Sequence, residues 1–108
     1  MRFVVQRVAQ ASVKVESETV GAIGEGLCVL IGIHRYDTEL EIDPLVNRLL
    51  KLKLFTNQEG GHWKASVSEG NRGILAISQF TLFARTEKGA KPDFHEAAPA
   101  ETALHLFN

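Results

Sequence analysis

Between Gly26 and Ile33 the chain reads Gly-Leu-Cys-Val-Leu-Ile-Gly-Ile, with no charged or amide side chain anywhere in the run. Such a segment has no polar face to turn toward water. It predicts a strand over Leu27–Ile33 that is covered on both faces, near the middle of a sheet. Gly32 inside the run marks a bulge or a place where another backbone approaches closely. The run is also far shorter than the roughly 20 apolar residues that a membrane-spanning helix needs. Cys28 lies within it and reads as a small buried hydrophobe. As the one cysteine of the chain it cannot close an internal disulfide, which suits a reducing compartment.

The segments around this strand supply its partners. Arg2–Val8 and Ala11–Val15 are rich in β-branched residues, and the second alternates polar with apolar, so both predict strands. Gly21, Gly24 and Gly26 predict a turn-rich link between them and the central run. After it, Thr38 and Glu41 have the spacing of a capping box, with Asp43-Pro44 as a competing helix start. Leu45, Val46, Leu49 and Leu50 then form one helical stripe. Lys51-Leu52-Lys53-Leu54-Phe55 switches to period two and predicts a strand, and Asn57–Gly61 a turn. Gly73–Ile77 leads into Ser78–Phe83, read together as one further strand. Beyond Arg85 the chain becomes loop-like, until Ala100, Ala103, Leu104 and Phe107 mark an amphipathic helix. Strands, a helix and more strands in 108 residues imply one domain over 1–108, of α+β class, with a strongly curved, barrel-like sheet and flanking helices.

Charge and motif spacing narrow the chemistry. Twelve basic residues against 13 acidic ones give a net charge of −1, which excludes a protein that coats nucleic acid by bulk electrostatics. Arg2 is followed by only Phe3-Val4-Val5 before Gln6 and Arg7, too little for a signal-peptide core, so a cytoplasmic location and no membrane partner are expected. His34, His62, His95 and His105 lack metal-ligand spacing, so no metal is expected. Gly21, Gly24 and Gly26 lack the Gly-Lys-Ser/Thr ending of a phosphate loop. Asp93, His95 and Ser78 are the residue types of a hydrolytic triad, but Ser78 continues a strand rather than sitting on an exposed turn.

Two stretches are more informative. Ser78-Gln79-Phe80-Thr81 places three hydrogen-bonding side chains directly after a core run. Its plain reading is an edge strand with solvated hydroxyls. Its functional reading is a pocket mouth where backbone N–H groups hold an oxyanion. Lys88-Gly89-Ala90-Lys91-Pro92-Asp93-Phe94-His95 is a basic loop stiffened by a proline. By composition it is a solvated turn, or, with Arg85, a place to touch phosphates while Phe94 stacks on a base.

These stretches, with Met1–Val8, Ala11-Ser12-Val13 and Ile23–Ile33, resemble the D-aminoacyl-tRNA deacylases of the D-tyrosyl-tRNA deacylase type. The likeness covers the whole chain in four blocks, including Ser-Gln-Phe-Thr-Leu at Ser78–Leu82 and Lys-Pro-Asp-Phe-His at Lys91–His95. It implies a homodimeric cytosolic enzyme, free of metal and organic cofactor. Its reaction would cleave the ester between a D-amino acid, or glycine, and the 3′ end of tRNA, at a site near the dimer interface. Carried over by motif, Ser78, Gln79, Phe80 and Thr81 line the catalytic pocket, and Thr81 positions the reaction rather than attacking covalently. Arg7 matches the arginine that braces the chirality-checking motif. Phe94, with Lys91 and Pro92 in its loop, borders the terminal adenosine.

One feature departs from the family. Its members carry Asn-x-Gly-Pro-x-Thr near their C-terminus, and no Gly-Pro occurs here: Pro44, Pro92 and Pro99 follow Asp43, Lys91 and Ala98. The expectation is a deacylase-like domain that is incomplete at its C-terminal end. The alternative is a non-catalytic dimeric RNA- or protein-binding module on the same fold.

Overall fold

The computed structural model of the chain describes residues 1–87 and 89–107. Five strands and two helices follow in order: β1 (Arg2–Val8), β2 (Ala11–Val15), β3 (Glu18–Ile23), β4 (Gly26–Gly32), α1 (Ile42–Lys51), β5 (Gly73–Ser78) and α2 (Ala100–Phe107). Short 3₁₀ turns occupy Glu39–Glu41, Val67–Glu69 and Phe80–Phe83. The class is α+β, as expected. None of the described helices is long and apolar enough to cross a membrane.

The apolar run takes the centre of the main sheet, whose strand order is β1-β4-β5. β4 pairs antiparallel with β1, from Arg2 opposite Gly32 to Val8 opposite Gly26, and parallel with β5, from Gly26 beside Gly73 to Ile31 beside Ser78. On the inner face Leu27 and Val29 are fully buried and join Leu49, Phe55, Ala65 and Val67, with Phe3, Val5 and Ile31 packed against them. The outer face is less covered. Cys28 on that face is only half-buried, so it is not the fully enclosed hydrophobe expected. β2 and β3 form a separate two-stranded ribbon, and the described strands do not close into a barrel.

The link read as turn-rich between β2 and the central run is largely strand β3. Its hairpin turns at Glu16 and Ser17, both at positive φ (51° and 71°), the backbone of a tight turn whose twist suits paired strands. Gly21 sits in the strand because space is short: a Cβ there would lie 3.0 Å from the Leu75 side chain.

The capping box forms as predicted. Glu41 accepts from the Thr38 N–H (2.6 Å), and the Thr38 hydroxyl accepts from the Leu40 N–H (3.3 Å). It starts the 3₁₀ turn that feeds α1, so Asp43-Pro44 falls inside the first helical turn, where an absent N–H costs nothing. α1 then runs through Lys51, and the strand expected over Lys51–Phe55 does not form. Only Phe55 pairs, in an isolated bridge to Ala65, because burying that ring matters more than the lysine–leucine alternation before it. The turn after it is held by Asn57, whose side-chain oxygen accepts from the Glu59 and Gly61 N–H groups (3.1 and 2.7 Å).

Candidate active site

β4 and β5 run parallel and end side by side, and a cleft lies beyond the end of β5, its other wall supplied by residues 94–107. Ligands of parallel sheets characteristically bind outside such carboxyl ends. β5 stops at Ser78, where a strand through Phe83 was expected. The Gln79 N–H still donates to the Ile31 carbonyl (2.8 Å), and the backbone then tightens into the Phe80–Phe83 turn. That turn is closed by N–H donation from Leu82 to Gln79 (3.3 Å) and from Ala84 to Thr81 (3.1 Å). A 3₁₀ turn leaves its first N–H groups unpaired. Among the described residues, those of Phe80 and Thr81 have no acceptor. Ser78 and Thr81 are both exposed, while Gln79 is half-buried.

The opposite wall comes from the segment after Asp93. Arg35 donates its N–H to the Glu96 carbonyl (2.9 Å), Ala98 donates to Ile33 (2.8 Å), and His34 bridges to Ala97. These bonds lay residues 94–99 against the exit of β4 and set the start of α2. The result is an open cleft of about 560 Å³, lined by Ser78, Phe80, Phe94, Pro99, Leu104 and Phe107 among others. Phe80 and Phe94 meet edge to face with centroids 5.0 Å apart, and Phe80 remains 55% exposed. The cleft therefore offers aromatic surface to a planar or apolar group, with the Ser78–Thr81 stretch at its margin.

The sequence-derived residues divide between places. Ser78, Phe80 and Phe94 come together in the cleft, and Gln79 and Thr81 are on the turn beside it. Lys91 and Pro92 lie exposed on the loop before Phe94, outside the cleft lining, and Lys88 of that loop lies outside the described residues. Arg7 is elsewhere. It pairs with Leu27, four residues along β4 from the partner of Ser78, a separation of about 13 Å at strand rise. There its guanidinium donates to the Leu54 carbonyl (2.9 Å) and lies 5.4 Å from the Trp63 ring centre. It lines a second, polar hollow of about 580 Å³ with His62 and Arg72.

No triad is assembled. Asp93 accepts from the His95 backbone N–H (2.8 Å), not from its ring. Both residues line a different, charged hollow with Arg35, Arg85 and Glu96, where Arg85 forms an ion pair with Glu96 at 3.0 Å. The residues missed from sequence are those of the far wall, Ala97 to Phe107. Their signal was the Ala100, Ala103, Leu104 and Phe107 stripe, which borders the cleft instead of joining the main core.

Comparison with known proteins gives a concordant result. Residues 4–108 match the model of the family described as D-Tyr-tRNA(Tyr) deacylase. D-aminoacyl-tRNA deacylase 1 of Homo sapiens is 47% identical over 108 residues, which is 100% of this chain and 51% of that protein. D-aminoacyl-tRNA deacylase of Schizosaccharomyces pombe is 46% identical over 107 residues, covering 99% of this chain and 71% of that protein. Among solved structures, c-Myc DNA Unwinding Element Binding Protein matches with a TM-score of 0.92 at 47% identity, over 100% of this chain and 72% of that one. The chain spans about half the length of several curated relatives it matches.

Proposed function

Because the chain belongs to the D-Tyr-tRNA(Tyr) deacylase family, we propose that it hydrolyses the ester between a D-amino acid and the 3′ end of tRNA. Free D-amino acid and reusable tRNA are the products, and glycine wrongly attached to tRNA is a further substrate. The observation that carries this reading is the Ser78–Thr81 stretch. It ends a central-sheet strand in a tight turn whose first N–H groups are unpaired among the described residues, at the margin of an aromatic cleft.

Water adds to the ester carbonyl, and negative charge builds on one oxygen of the tetrahedral intermediate. The Phe80 and Thr81 N–H groups stabilise that charge, being already fixed by the turn and needing no reorganisation during the reaction. Collapse of the intermediate breaks the bond to the ribose 3′-oxygen, which takes up a proton with help from the neighbouring 2′-hydroxyl. Thr81 orients water and ribose, Ser78 and Gln79 complete the pocket, and Phe94 borders the adenosine. Lys91 and Pro92 flank the approaching RNA end. Arg7 acts from the opposite end of the sheet, as a brace for the chirality check. The working form is a cytoplasmic homodimer, and the role is quality control of translation.

The test is release of tyrosine from D-Tyr-tRNA and L-Tyr-tRNA under single-turnover conditions. Release of tyrosine from the D form is the expected result, and no release refutes the reading; the rate on the L form shows how far this chain, without a Gly-Pro dipeptide, discriminates chirality. The solved relative named for binding a DNA unwinding element favours a second one, a nucleic-acid-binding module without turnover. Binding of tRNA 3′ ends without hydrolysis would support it.

A further inference from the structure

We propose that Arg2 is a positioning residue for the reaction, a clamp that fixes the Phe80–Phe83 turn from the neighbouring strand; this rests on the deacylase reading of that turn. Arg2 opens β1, at the far end of the chain from the turn, and is paired with Gly32 at the end of β4. Its guanidinium donates to the Leu82 carbonyl at 2.6 Å, across 80 residues of sequence. The same group lies 4.5 Å from the centre of the Phe83 ring. One planar cation thus holds both a backbone oxygen and a side chain of the turn, a combination that fixes orientation as well as distance.

The rest of the seat is built to match. A Cβ on Gly32 would lie 2.9 Å from the Leu82 Cβ and 3.1 Å from the Phe83 ring, so the bare backbone of β4 is what lets the turn settle there. Phe83 is buried, and the His34 ring meets it edge to face at 5.2 Å. Phe83 is therefore enclosed by Gly32 beneath, His34 at one side and the Arg2 guanidinium. The N–H groups assigned to the oxyanion begin this same turn, so a turn free to rock on its seat would blur their aim. Misplacement on the scale of 1 Å is enough to slow an oriented reaction by one or two orders of magnitude.

Arg2 is itself exposed and outside the main core, so its removal takes nothing from that core; circular dichroism of the variant is expected to match the parent. In Arg2→Ala, kcat for D-Tyr-tRNA is expected to fall about tenfold while KM stays within about twofold. Exchange of the Leu82 and Ala84 amides, which close the turn, is expected to quicken about tenfold while the β4 amides keep their protection. Arg2→Lys keeps a cation within reach of the Leu82 carbonyl but loses the planar contact with the Phe83 ring, and is expected to give a kcat between those of Arg2→Ala and the parent. An Arg2→Ala variant with unchanged kcat and unchanged exchange overturns the proposal. So does an equal quickening of the β4 amides, which would make Arg2 a general stabiliser. If the parent itself releases no D-tyrosine, the deacylase reading fails, and the exchange measurement alone decides whether the clamp exists.

Discussion

Gly26 is the residue whose replacement should do the most damage for the fewest added atoms. It begins β4 beside Gly73, the first residue of β5, and the two backbones nearly touch. A Cβ on Gly26 would lie 2.0 Å from the Gly73 carbonyl oxygen and 2.8 Å from both its carbonyl carbon and its nitrogen. Ordinary contact needs about 3.5 Å, so Gly26→Ala must push the strands apart by more than about 1 Å. All three obstructing atoms are backbone, and no side chain can rotate away. The movement stretches the Gly73 N–H bond to the Glu25 carbonyl, now 3.1 Å, which is worth about 1 kcal/mol. Strain from overpacking adds about 1–3 kcal/mol. The expected loss is about 2–4 kcal/mol, a large part of the roughly 5–15 kcal/mol that holds a domain of this size. Gly24→Ala is the matched control: a Cβ there meets nothing within 4 Å, and the substitution should be neutral or stabilise by up to about 1 kcal/mol. Urea unfolding of the two variants, with m-values compared, gives the measurement. If Gly26→Ala unfolds within about 0.5 kcal/mol of the parent, the inferred close approach of β4 and β5 is wrong.

Thr81→Ala should lower kcat while tRNA still binds in a filter assay; a covalent aminoacyl adduct on Thr81 trapped at steady state would instead make it the nucleophile. Phe94→Ala removes one ring of the pair at the cleft and should raise KM about tenfold, with circular dichroism unchanged; an unaltered KM would take the cleft out of substrate binding. The Glu41 carboxyl is held below the usual carboxylate range, first by the Thr38 backbone N–H and then by its hydroxyl. A lowered folded value means that the cap's contribution is complete above the unfolded glutamate pKa and is lost as pH falls through the folded value. The difference in melting temperature between the parent and Glu41→Gln should therefore shrink in acid, and a difference that is constant down to pH 2 would contradict the assignment.

Much of this architecture could be read from residue order, and the failures have identifiable causes. The Leu27–Ile31 run marked the central strand because a run with no polar face must be paired and covered, although its outer face is only half-covered. Thr38 and Glu41 marked the start of the helical segment because both halves of a capping box are local. The β2–β3 hairpin was obscured because its turn uses Glu16 and Ser17 at positive φ in place of the asparagine–glycine pair that usually announces such a turn. Lys51–Phe55 misled because alternation is also what a helix end followed by one buried ring looks like. At the cleft, the Ser78–Thr81 stretch was legible as chemistry but not as shape. Its change from strand to turn brings it against Gly32 and Arg2, neither of them near it in sequence.

The parallel pairing of β4 with β5 also governs when the site can exist. Glu25 and Arg72, which form an ion pair at the start of this pairing, are 47 residues apart. β1 and β4 can meet early, as a local antiparallel pair, but the second edge of β4 must wait for a distant segment. Closing so long a loop is entropically slow, and until it closes the most apolar strand of the chain has an open edge. On the ribosome, that edge stays unpaired throughout synthesis of α1 and the loops after it. The turn proposed for catalysis therefore waits on that pairing, and until it closes the unpaired edge of β4 is the surface through which the nascent chain would self-associate.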